Sequence, residues 1–311
     1  MGQNNQNNYK LNSITVFTPT FNRKERLKRL KKSLDQQTDL NFVWFIVDDG
    51  SCDGTEETVH NFMIGSAYPI HYHYQENQGK HVAHNYAVRK CRTELFYCVD
   101  SDDKLPPNSI KDIKQIWKSI DNKEGVSGII GLKAYFDNTI VGNQYPENVF
   151  RASLSELYSV YGKEGDTALI WRTEVVSKYP FKVFKNENFL RENTMYDLID
   201  MKYKLIVSNK VLYLVEYCDD GLSRNATTIE LKNPLGAAYY RLGEARKAKS
   251  IYKKIGYYSG YIFYSELGNN SLEAKKNVGK KYFLLKILSK LMIIRYRMRG
   301  IQVDKSNDVD K

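Results

Sequence analysis

The strongest chemical signal in the sequence is the acidic run DSDD at residues 100–103. It follows the apolar run 95–99, which is typical of a short buried strand. Carboxylate oxygens suit a hard divalent cation such as Mg²⁺ or Mn²⁺, and such an ion usually keeps positions open for substrate phosphates. A turn is the structural alternative, because Asp and Ser both favour turns and helix N-caps. We predict that Asp100 and Asp102 hold a metal ion.

A second apolar run, 42–47, also ends in acids, in the segment DDGS at 48–51. An acid at a strand end can accept hydrogen bonds from a ribose or a base, whereas the alternative is an Asx-turn that caps the following helix. The segment TPTFN at 18–22 closes an earlier strand, so its backbone reaches the same edge. Phe21 is either a core residue or the wall of a base pocket. Two acidic strand ends point to one phosphate-rich ligand.

Strands and helices alternate along the first part of the chain. The predicted strands are 14–18, 42–48, 70–74 and 95–100, and the predicted helices are 24–37, 54–63, 80–91 and 107–120. This alternation predicts an α/β protein with a mostly parallel sheet and helices on both faces. In such sheets ligands bind beyond the carboxyl ends of the strands, which is where both acidic segments fall.

The pattern becomes less regular after about residue 125. The predicted strands there are 128–136, 167–172 and a pair within 204–217 that is broken near Ser208-Asn209. The predicted helices are 192–202, 235–249, 251–267 and 280–299. The chain therefore ends in a helical extension of the α/β domain.

Composition limits the class of partner. The 311 residues carry 47 Lys and Arg against 36 Asp and Glu, a net charge of +11, which favours nucleic acid, acidic lipid or a phosphorylated substrate. The four cysteines form no CxxC pair, so reduced thiols in a cytoplasm are expected. The Asn- and Gln-rich N-terminus lacks the apolar core of a secretory signal. No stretch reaches the roughly 18–20 apolar residues of a spanning helix.

The loop NQGK at 77–80 leads into the third predicted helix. Its glycine lets the backbone approach a ligand closely. Lys80 opposes the helix dipole at this position, which makes a phosphate partner attractive, and a solvated loop lysine is the alternative. His81 and His84 lie three residues apart on the helix. Since no third metal ligand is evident, we interpret them as packing or polar contacts.

Four segments together resemble the family 2 glycosyltransferases of the GT-A fold. They are TPTFN at 18–22, VDDGSCDGT at 47–55, NQGKHVAHN at 77–85 and DSDD at 100–103. Their order and spacing match the nucleotide-sugar half of that family over about residues 12–135. The resemblance implies that Asp49 binds the base and that Asp100 and Asp102 hold a metal, Mn²⁺ or Mg²⁺, that bridges the diphosphate. Many members carry arginine where this chain has His84.

The resemblance further implies a set of contacts with the nucleotide sugar. The residues at the matching positions are Pro19, Phe21, Asn22, Asp49, Lys80, Asn85, Asp100, Ser101, Asp220 and Ser223. Pro19 and Phe21 are expected to border the base. Asp220 and Ser223 fall in a segment that can close over the diphosphate in the family, and a polar loop is the alternative there.

An inverting member also needs a carboxylate base within hydrogen-bond reach of the acceptor hydroxyl. Family members often place it in an ED pair that opens a helix. The nearest match is Glu192, where Asn193 replaces the second acid. We predict Glu192 as the base; the alternative is that it simply favours a helix N-terminus. The reserve candidates are Glu187, Asp166 and Asp197.

The stretch 275–300 contains nine Lys and Arg and no acid, interleaved with apolar residues. An apolar helix carrying cations can lie in the headgroup plane of an anionic membrane, so we expect peripheral contact through 280–299. A terminal helix packed on the domain is the alternative. The expected organisation is a disordered tail at 1–12, a catalytic domain at 13–232, a basic helical region at 233–300 and a loose tail at 301–311. The catalytic domain divides into a nucleotide-sugar half, 13–135, and an acceptor half, 136–232.

The resemblance implies a metal-dependent, inverting glycosyltransferase at the cytoplasmic membrane face. It moves a sugar, with a UDP-sugar favoured because the family most often uses UDP, to a lipid-linked glycan of a surface polysaccharide. One alternative is a nucleotidyltransferase, which usually has a glycine-rich basic loop that TPTFNRKE at 18–25 lacks. Another is a non-catalytic nucleotide-binding or membrane scaffold protein. Nucleic acid is not expected as a partner, because no binding motif for it is evident.

Overall fold

The computed structural model describes residues 10–216 and 226–298. This part of the chain forms two compact units, one made of 10–181 with 195–216 and the other of 182–194 with 226–298. Each unit has its own hydrophobic cluster. The expected domain boundary at 233 leaves 182–194 and 226–232 in the catalytic domain, whereas contacts group both stretches with the C-terminal helices.

An eight-stranded sheet forms the centre of the first unit. Its strands are β1 (Lys10–Thr20), β2 (Val43–Asp48), β3 (Ile70–Tyr74), β4 (Thr93–Cys98), β5 (Val126–Tyr135), β6 (Arg151–Ala152), β7 (Thr167–Arg172) and β8 (Lys204–Val215). They lie in the order β3-β2-β1-β4-β7-β5-β8-β6. The first four are mutually parallel, as predicted. Because β7 runs antiparallel between β4 and β5, and β6 antiparallel to β8, the sheet is mixed.

The helices of the described residues agree with the long periodic segments of the sequence. In the first unit and at its end they are α1 (Lys24–Asp35), α2 (Thr55–Met63), α3 (Lys80–Lys90), α4 (Ser109–Lys118), α5 (Leu154–Ser159), α6 (Thr173–Val176) and α7 (Asn193–Asp200). The later ones are α8 (Ala226–Lys232), α9 (Pro234–Lys247), α10 (Ile251–Leu267), α11 (Ser271–Val278) and α12 (Tyr282–Met298). The short helices α5, α6, α8 and α11 were not predicted, because one or two turns do not show an apolar period.

Helix α1 shows how the sequence pattern produces the packing next to the acidic edge. Leu27, Leu30 and Leu34 recur at helical spacing and are fully buried, and each contributes about 1.5–3 kcal/mol on removal from water. Just beyond α1, the Gln37 side chain donates to the Pro106 carbonyl at 2.8 Å. This contact attaches the segment that follows the DSDD run to the C-terminal end of α1.

The prediction of two strands within 204–217 is wrong. The chain forms one strand, β8, whose pairing with β5 shifts register between Val207 and Val211. The extra residues are held from the side, because Asn209 accepts a hydrogen bond from the Tyr145 N–H at 2.8 Å and donates to its carbonyl at 2.9 Å. The predicted break is therefore a bulge in a continuous strand.

Part of the predicted N-terminal tail belongs to the first strand. Strand β1 begins at Lys10, inside the stretch predicted as a tail at 1–12. The rest of that stretch and the predicted tail at 301–311 lie outside the described residues. Among the helices of 10–216 and 226–298, none combines the length and the apolar character needed to cross a bilayer.

Candidate active site

The acidic ends of β2 and β4 meet at one edge of the sheet, on either side of β1. Thr20 at the end of β1 is paired with Asp48 at the end of β2. On the other side, the Val99 N–H donates to the Phe17 carbonyl at 2.8 Å. Because the three strands are parallel, their carboxyl ends lie together, and the segments 18–22, 48–51 and 100–103 share this edge as the sequence predicts.

Asp49 is buried and organises the loop before α3. Its carboxylate accepts hydrogen bonds from the Gln75 side-chain amide at 2.7 Å, the Gln78 N–H at 2.9 Å and the Gly79 N–H at 2.8 Å. Burial raises the pKa of the Asp49 carboxyl, and these hydrogen bonds oppose the rise. Gly79 has a φ of 93°, which requires glycine. Asp49 thus fixes the start of α3, and its predicted contact with a base stays a prediction.

Asp48 forms the turn that the sequence analysis gave as the alternative to ligand binding for the acids at 48 and 49. Its carboxylate accepts from the Ser51 N–H at 2.8 Å and from the Tyr72 hydroxyl at 2.8 Å. The turn it stabilises reaches the end of β1, where the Asn22 N–H donates to Ser51 Oγ at 2.8 Å. The Asn22 side chain in turn accepts from the Cys52 N–H at 2.8 Å. The loops after β1 and β2 are therefore bound to each other.

Pro19 and Phe21 line the end of β1. Pro19 is half-buried and paired with Val47, whereas Phe21 exposes 45% of its surface. This exposure removes the alternative that Phe21 is a core residue. Because an exposed aromatic ring beside a polar edge can stack on a base, the predicted contacts of Pro19, Phe21 and Asn22 with a nucleotide remain open predictions.

Lys80 and Asp100, which the sequence assigns to one ligand, are in contact. Lys80 is the first residue of α3, and its Nζ lies 2.7 Å from Asp100 Oδ1. The two side chains are about one third exposed, at 31% and 36%. Lys80 is therefore not a solvated loop lysine. A cation and a carboxylate at the same accessible edge form a site where a phosphate and a metal ion can be bound side by side.

Asp102 is held by Arg23, which directly precedes α1, and by arginines of α1. Its Oδ2 lies 2.7 Å from Arg23 Nη1 and 3.5 Å from Arg26 Nη1, and its side chain is only 15% exposed. Arg29 donates to the Asp102 carbonyl at 3.4 Å and pairs with Glu216 at 2.8 Å. Sequence reasoning missed this cluster. The signal that could have found it is the spacing of three arginines at 23, 26 and 29, which places them along one side of α1.

Asp103 is buried and is bonded to the other side of the loop. The Tyr213 hydroxyl donates to Asp103 Oδ2 at 2.8 Å and accepts from the Asp100 N–H at 2.9 Å. Burial, reinforced by the negative charge of Asp100, raises the pKa of the Asp103 carboxyl to about 7. Ser101 is buried to 2% exposure beside it, so its predicted contact with the nucleotide sugar stays a prediction. Asp100 and Asp102 therefore face cations, whereas Asp103 is bonded to Tyr213 of β8.

His84 and Asn85 of α3 contact other residues of the first unit. The His84 ring lies 5.8, 5.2 and 5.0 Å from the rings of Phe17, Phe96 and Phe181, which confirms its interpretation as a packing residue. Asn85 donates to the Phe181 carbonyl and accepts from the Phe181 N–H, both at 2.8 Å. Both ends of this amide are bonded within the protein, and the predicted nucleotide contact of Asn85 remains untested.

The donor set at this edge fits a divalent cation that completes its coordination with phosphate. Within the described residues, no group of three or more His, Cys, Asp and Glu side chains could hold a metal ion. Asp100 and Asp102 supply two carboxylates, and their partners in this structure are Lys80 and Arg23. Mg²⁺-type ions are commonly held in this way, by one or two carboxylates together with substrate phosphates and water.

Glu192, the predicted base, belongs to the second unit and directly precedes α7. It is half-buried. The residue before it, Arg191, lies 2.6 Å from Glu230 Oε1 through Nε and 5.0 Å from the Tyr240 ring centre. The Thr194 N–H donates to the Arg191 carbonyl at 3.1 Å. The backbone on both sides of Glu192 is thus fixed, and its catalytic role stays a prediction.

Sequence comparison decides the family. The sequence profile described as Glycosyl transferase family 2 matches residues 15–175, more than half of the chain. The matched region contains the second half of β1, all of β2 to β7 and the whole acidic edge. The chain belongs to glycosyltransferase family 2. The family that the four sequence segments resemble is thereby confirmed.

Two relatives of the chain differ in how much of it they match. A protein from Rickettsia conorii, named as an uncharacterised glycosyltransferase, is 29% identical over 113 residues, which are 36% of this chain and 18% of that protein. The chain thus spans less than a fifth of that relative. The GalNAc(5)-diNAcBac-PP-undecaprenol beta-1,3-glucosyltransferase of Campylobacter jejuni is 25% identical over 279 residues, which are 83% of this chain and 84% of that protein.

Solved structures confirm the GT-A fold. S. aureus TarS 1-349 has a TM-score of 0.56 at 14% identity, over 94% of this chain and 97% of that chain. TarS in complex with UDP-GlcNAc has a TM-score of 0.53 at 16% identity, over 94% and 93%. The mannosyltransferase PcManGT of Pyrobaculum calidifontis, in complex with GDP-Man and Mn²⁺, has a TM-score of 0.52 at 15% identity, over 92% and 82%.

The remaining candidate residues have different positions in the structure. The Glu187 carboxylate accepts from the Leu235 N–H at 2.6 Å and the Gly236 N–H at 2.7 Å, so it caps the first turn of α9. Burial raises the pKa of the Glu187 carboxyl. Asp166 precedes β7 and Asp197 lies on α7. Two further predicted residues, Asp220 and Ser223, lie outside the described part of the chain.

Proposed function

We propose that this glycosyltransferase moves a sugar from a UDP-sugar to a hydroxyl of a lipid-linked glycan in the synthesis of a surface polysaccharide. The observation that carries the proposal is the accessible Lys80–Asp100 pair beside Asp102, at the carboxyl edge where three parallel strands end. Its chemistry is suited to a diphosphate. The C. jejuni relative, whose name describes a lipid-diphosphate-linked glycan, supports the acceptor class.

The donor site is proposed to bind the diphosphate with both charges of this edge. Lys80 Nζ lies 2.7 Å from Asp100 Oδ1, and Arg23 Nη1 lies 2.7 Å from Asp102 Oδ2. A divalent cation bound to Asp100 and Asp102 would neutralise the charge that develops on the leaving diphosphate. Mn²⁺ is preferred in the proposal because a structural neighbour is described in complex with GDP-Man and Mn²⁺. Phe21 is proposed to contact the base.

The reaction is proposed to invert the anomeric configuration, with Glu192 as general base. A carboxylate near the acceptor hydroxyl removes its proton as the oxygen attacks the sugar. Support comes from the position of Glu192 directly before α7 and from the fixed backbone on both sides of it. The other acid of the same segment, Glu187, is already bonded to α9.

Sugar transfer can be tested by supplying an undecaprenyl-diphosphate-linked oligosaccharide, Mn²⁺ and, in separate reactions, UDP-, GDP- and dTDP-sugars. We expect release of UDP together with an increase in acceptor mass by one sugar. Turnover confined to GDP- or dTDP-sugars would overturn the choice of nucleotide. Release of pyrophosphate would instead identify a nucleotidyltransferase, and binding without turnover of any donor would indicate a scaffold protein.

Helix α12 carries the proposed contact with the membrane. Tyr282 and Leu285 are buried in the hydrophobic cluster of the second unit, so one face of the helix packs within that unit. A second face is exposed and apolar, with Phe283, Leu284 and Ile287 showing 66%, 67% and 64% of their surfaces. Lysines are interspersed along the helix, and the whole chain has a net charge of +11. This combination is suited to the headgroup region of an anionic bilayer.

The double variant F283S/I287S is expected to bind vesicles of phosphatidylcholine with phosphatidylglycerol more than about tenfold more weakly than the wild type. The reason is that two apolar side chains that would move from water into the bilayer on binding have been removed. Co-sedimentation measures the bound fraction. Tyr252→Ser on α10 removes a more exposed ring, at 84%, outside this face and serves as the control. Equal binding by the double variant, or wild-type binding that is as tight to pure phosphatidylcholine, would contradict membrane contact through α12.

A further inference from the structure

Tyr213, near the end of β8, joins two parts of the acidic loop. Its hydroxyl donates to Asp103 Oδ2 at 2.8 Å and accepts from the Asp100 N–H at 2.9 Å. Both Tyr213 and Asp103 are buried, at 2% and 7% exposure. A hydroxyl has one proton to donate, and Tyr213 donates it to the Asp103 carboxylate. The hydroxyl oxygen also accepts a hydrogen bond, from the Asp100 N–H.

The same loop is attached to β8 by its backbone. The Lys104 N–H donates to the Leu214 carbonyl and the Leu214 N–H donates to the Lys104 carbonyl, both at 3.0 Å. The Glu216 N–H approaches Asp103 Oδ1 at 3.3 Å. These contacts hold the loop at its C-terminal end. Among the described residues of β8, the group that bonds to the Asp100 N–H is the Tyr213 hydroxyl, at the point where the DSDD segment begins.

We propose that Tyr213 is a positioning residue for the donor site, which with Asp103 fixes the backbone that carries Asp100 and Asp102. The proposal rests on the proposed function, since it assumes that these two carboxylates serve a nucleotide diphosphate. Tyr213 does not contact the donor in this arrangement. It acts through the loop, as residues behind metal-binding carboxylates commonly do.

A second buried tyrosine provides a matched control. Tyr97 on β4 is fully buried, and its hydroxyl donates to the Leu212 carbonyl at 2.9 Å, on the same strand as Tyr213. The two rings are neighbours, with centroids 6.1 Å apart. Tyr97→Phe therefore removes a buried tyrosine hydroxyl that is bonded to β8 and leaves the acidic loop untouched, whereas Tyr213→Phe removes a buried tyrosine hydroxyl that bonds β8 to the acidic loop. A general loss of packing or stability would affect both variants alike.

The experiment compares the wild type, Tyr213→Phe and Tyr97→Phe by two readouts. Hydrogen–deuterium exchange of peptides covering 98–105, without any ligand, reports on the Asp100 peptide. Titration calorimetry with UDP and Mn²⁺ reports on the donor site. We expect Tyr213→Phe to speed exchange in 98–105 and to weaken UDP–Mn²⁺ binding about ten- to a hundredfold, with Tyr97→Phe close to the wild type in both. If Tyr213→Phe does not fold, Asp103→Asn tests the same link from its other end.

Unchanged exchange in Tyr213→Phe would overturn the proposal, and so would faster exchange without loss of affinity, because Tyr213 would then not serve the donor site. Equal losses in Tyr213→Phe and Tyr97→Phe would also overturn it. A wild type that binds no UDP with Mn²⁺ refutes the proposed function itself, and with it the role of Tyr213 at a donor site. In that case the exchange readout shows separately whether the loop is held by Tyr213.

Discussion

Asp102→Ala is expected to weaken UDP binding in the presence of Mn²⁺ about a hundredfold and to abolish sugar transfer. The carboxylate is one of the two that are proposed to hold the cation, and charge stabilisation by such an ion amounts to several kcal/mol. Calorimetric titration of UDP with Mn²⁺ measures the affinity, and a chelator added to the wild type should reproduce the loss. Metal-dependent binding that survives unchanged in Asp102→Ala would show that DSDD is a structural turn.

The ion pair between Asp102 and Arg23 makes a second variant necessary. Asp102→Ala also leaves the Arg23 and Arg26 guanidinium groups, at 2.7 and 3.5 Å in the native protein, without this partner. Arg23→Ala breaks the shorter contact and keeps the carboxylate. If the metal is what matters, UDP binding by Arg23→Ala still increases with Mn²⁺. If the loss in Asp102→Ala came from the arginines that lose their contact with Asp102, Arg23→Ala should bind UDP in the same way with and without Mn²⁺.

The fold of residues 13–135 was predictable because its information is local. Apolar runs of strand length and amphipathic helices alternate up to α4, and short crossovers in a parallel sheet leave few possible arrangements. The position of DDGS and DSDD directly after two such runs then fixes them at the carboxyl edge. Asp48 shows the limit of this reasoning. The sequence could not tell a turn-forming acid from a ligand-binding one, and the hydrogen bonds to Ser51 and Tyr72 identify the first role.

The contacts that sequence reasoning missed join residues far apart in the chain. Arg23 and Asp102 are separated by 79 positions, and Glu187 and Leu235 by 48. No local period or motif encodes such a pair, because it depends on which elements become neighbours in the folded sheet or bundle. The antiparallel insertion of β7 between β4 and β5 is of the same kind. Its sequence shows a strand, but the partner and direction are set by the rest of the sheet.

Glu192→Gln is expected to lower kcat for sugar transfer about a thousandfold while leaving UDP–Mn²⁺ affinity unchanged. Glutamine keeps the size and hydrogen-bonding capacity of the side chain but cannot remove a proton at neutral pH, and general-base catalysis is worth about 10²–10⁴ in rate. Initial rates with a saturating donor measure kcat, and titration calorimetry measures the donor affinity. Loss of both in parallel would indicate a damaged donor site, not a missing base.

Glu187→Gln is the matched control, since both acids lie in the segment 182–194 of the second unit. The two oxygens of Glu187 are bonded to N–H groups of α9, so its loss should cost about 1–2 kcal/mol of stability, as other helix caps do, and leave kcat close to the wild type. Thermal unfolding separates the two effects. If Glu192→Gln remains active, the base must be another acid, and Asp197→Asn and Asp166→Asn become the deciding variants. If Glu187→Gln is inactive yet fully folded, the capping acid itself takes part in the chemistry.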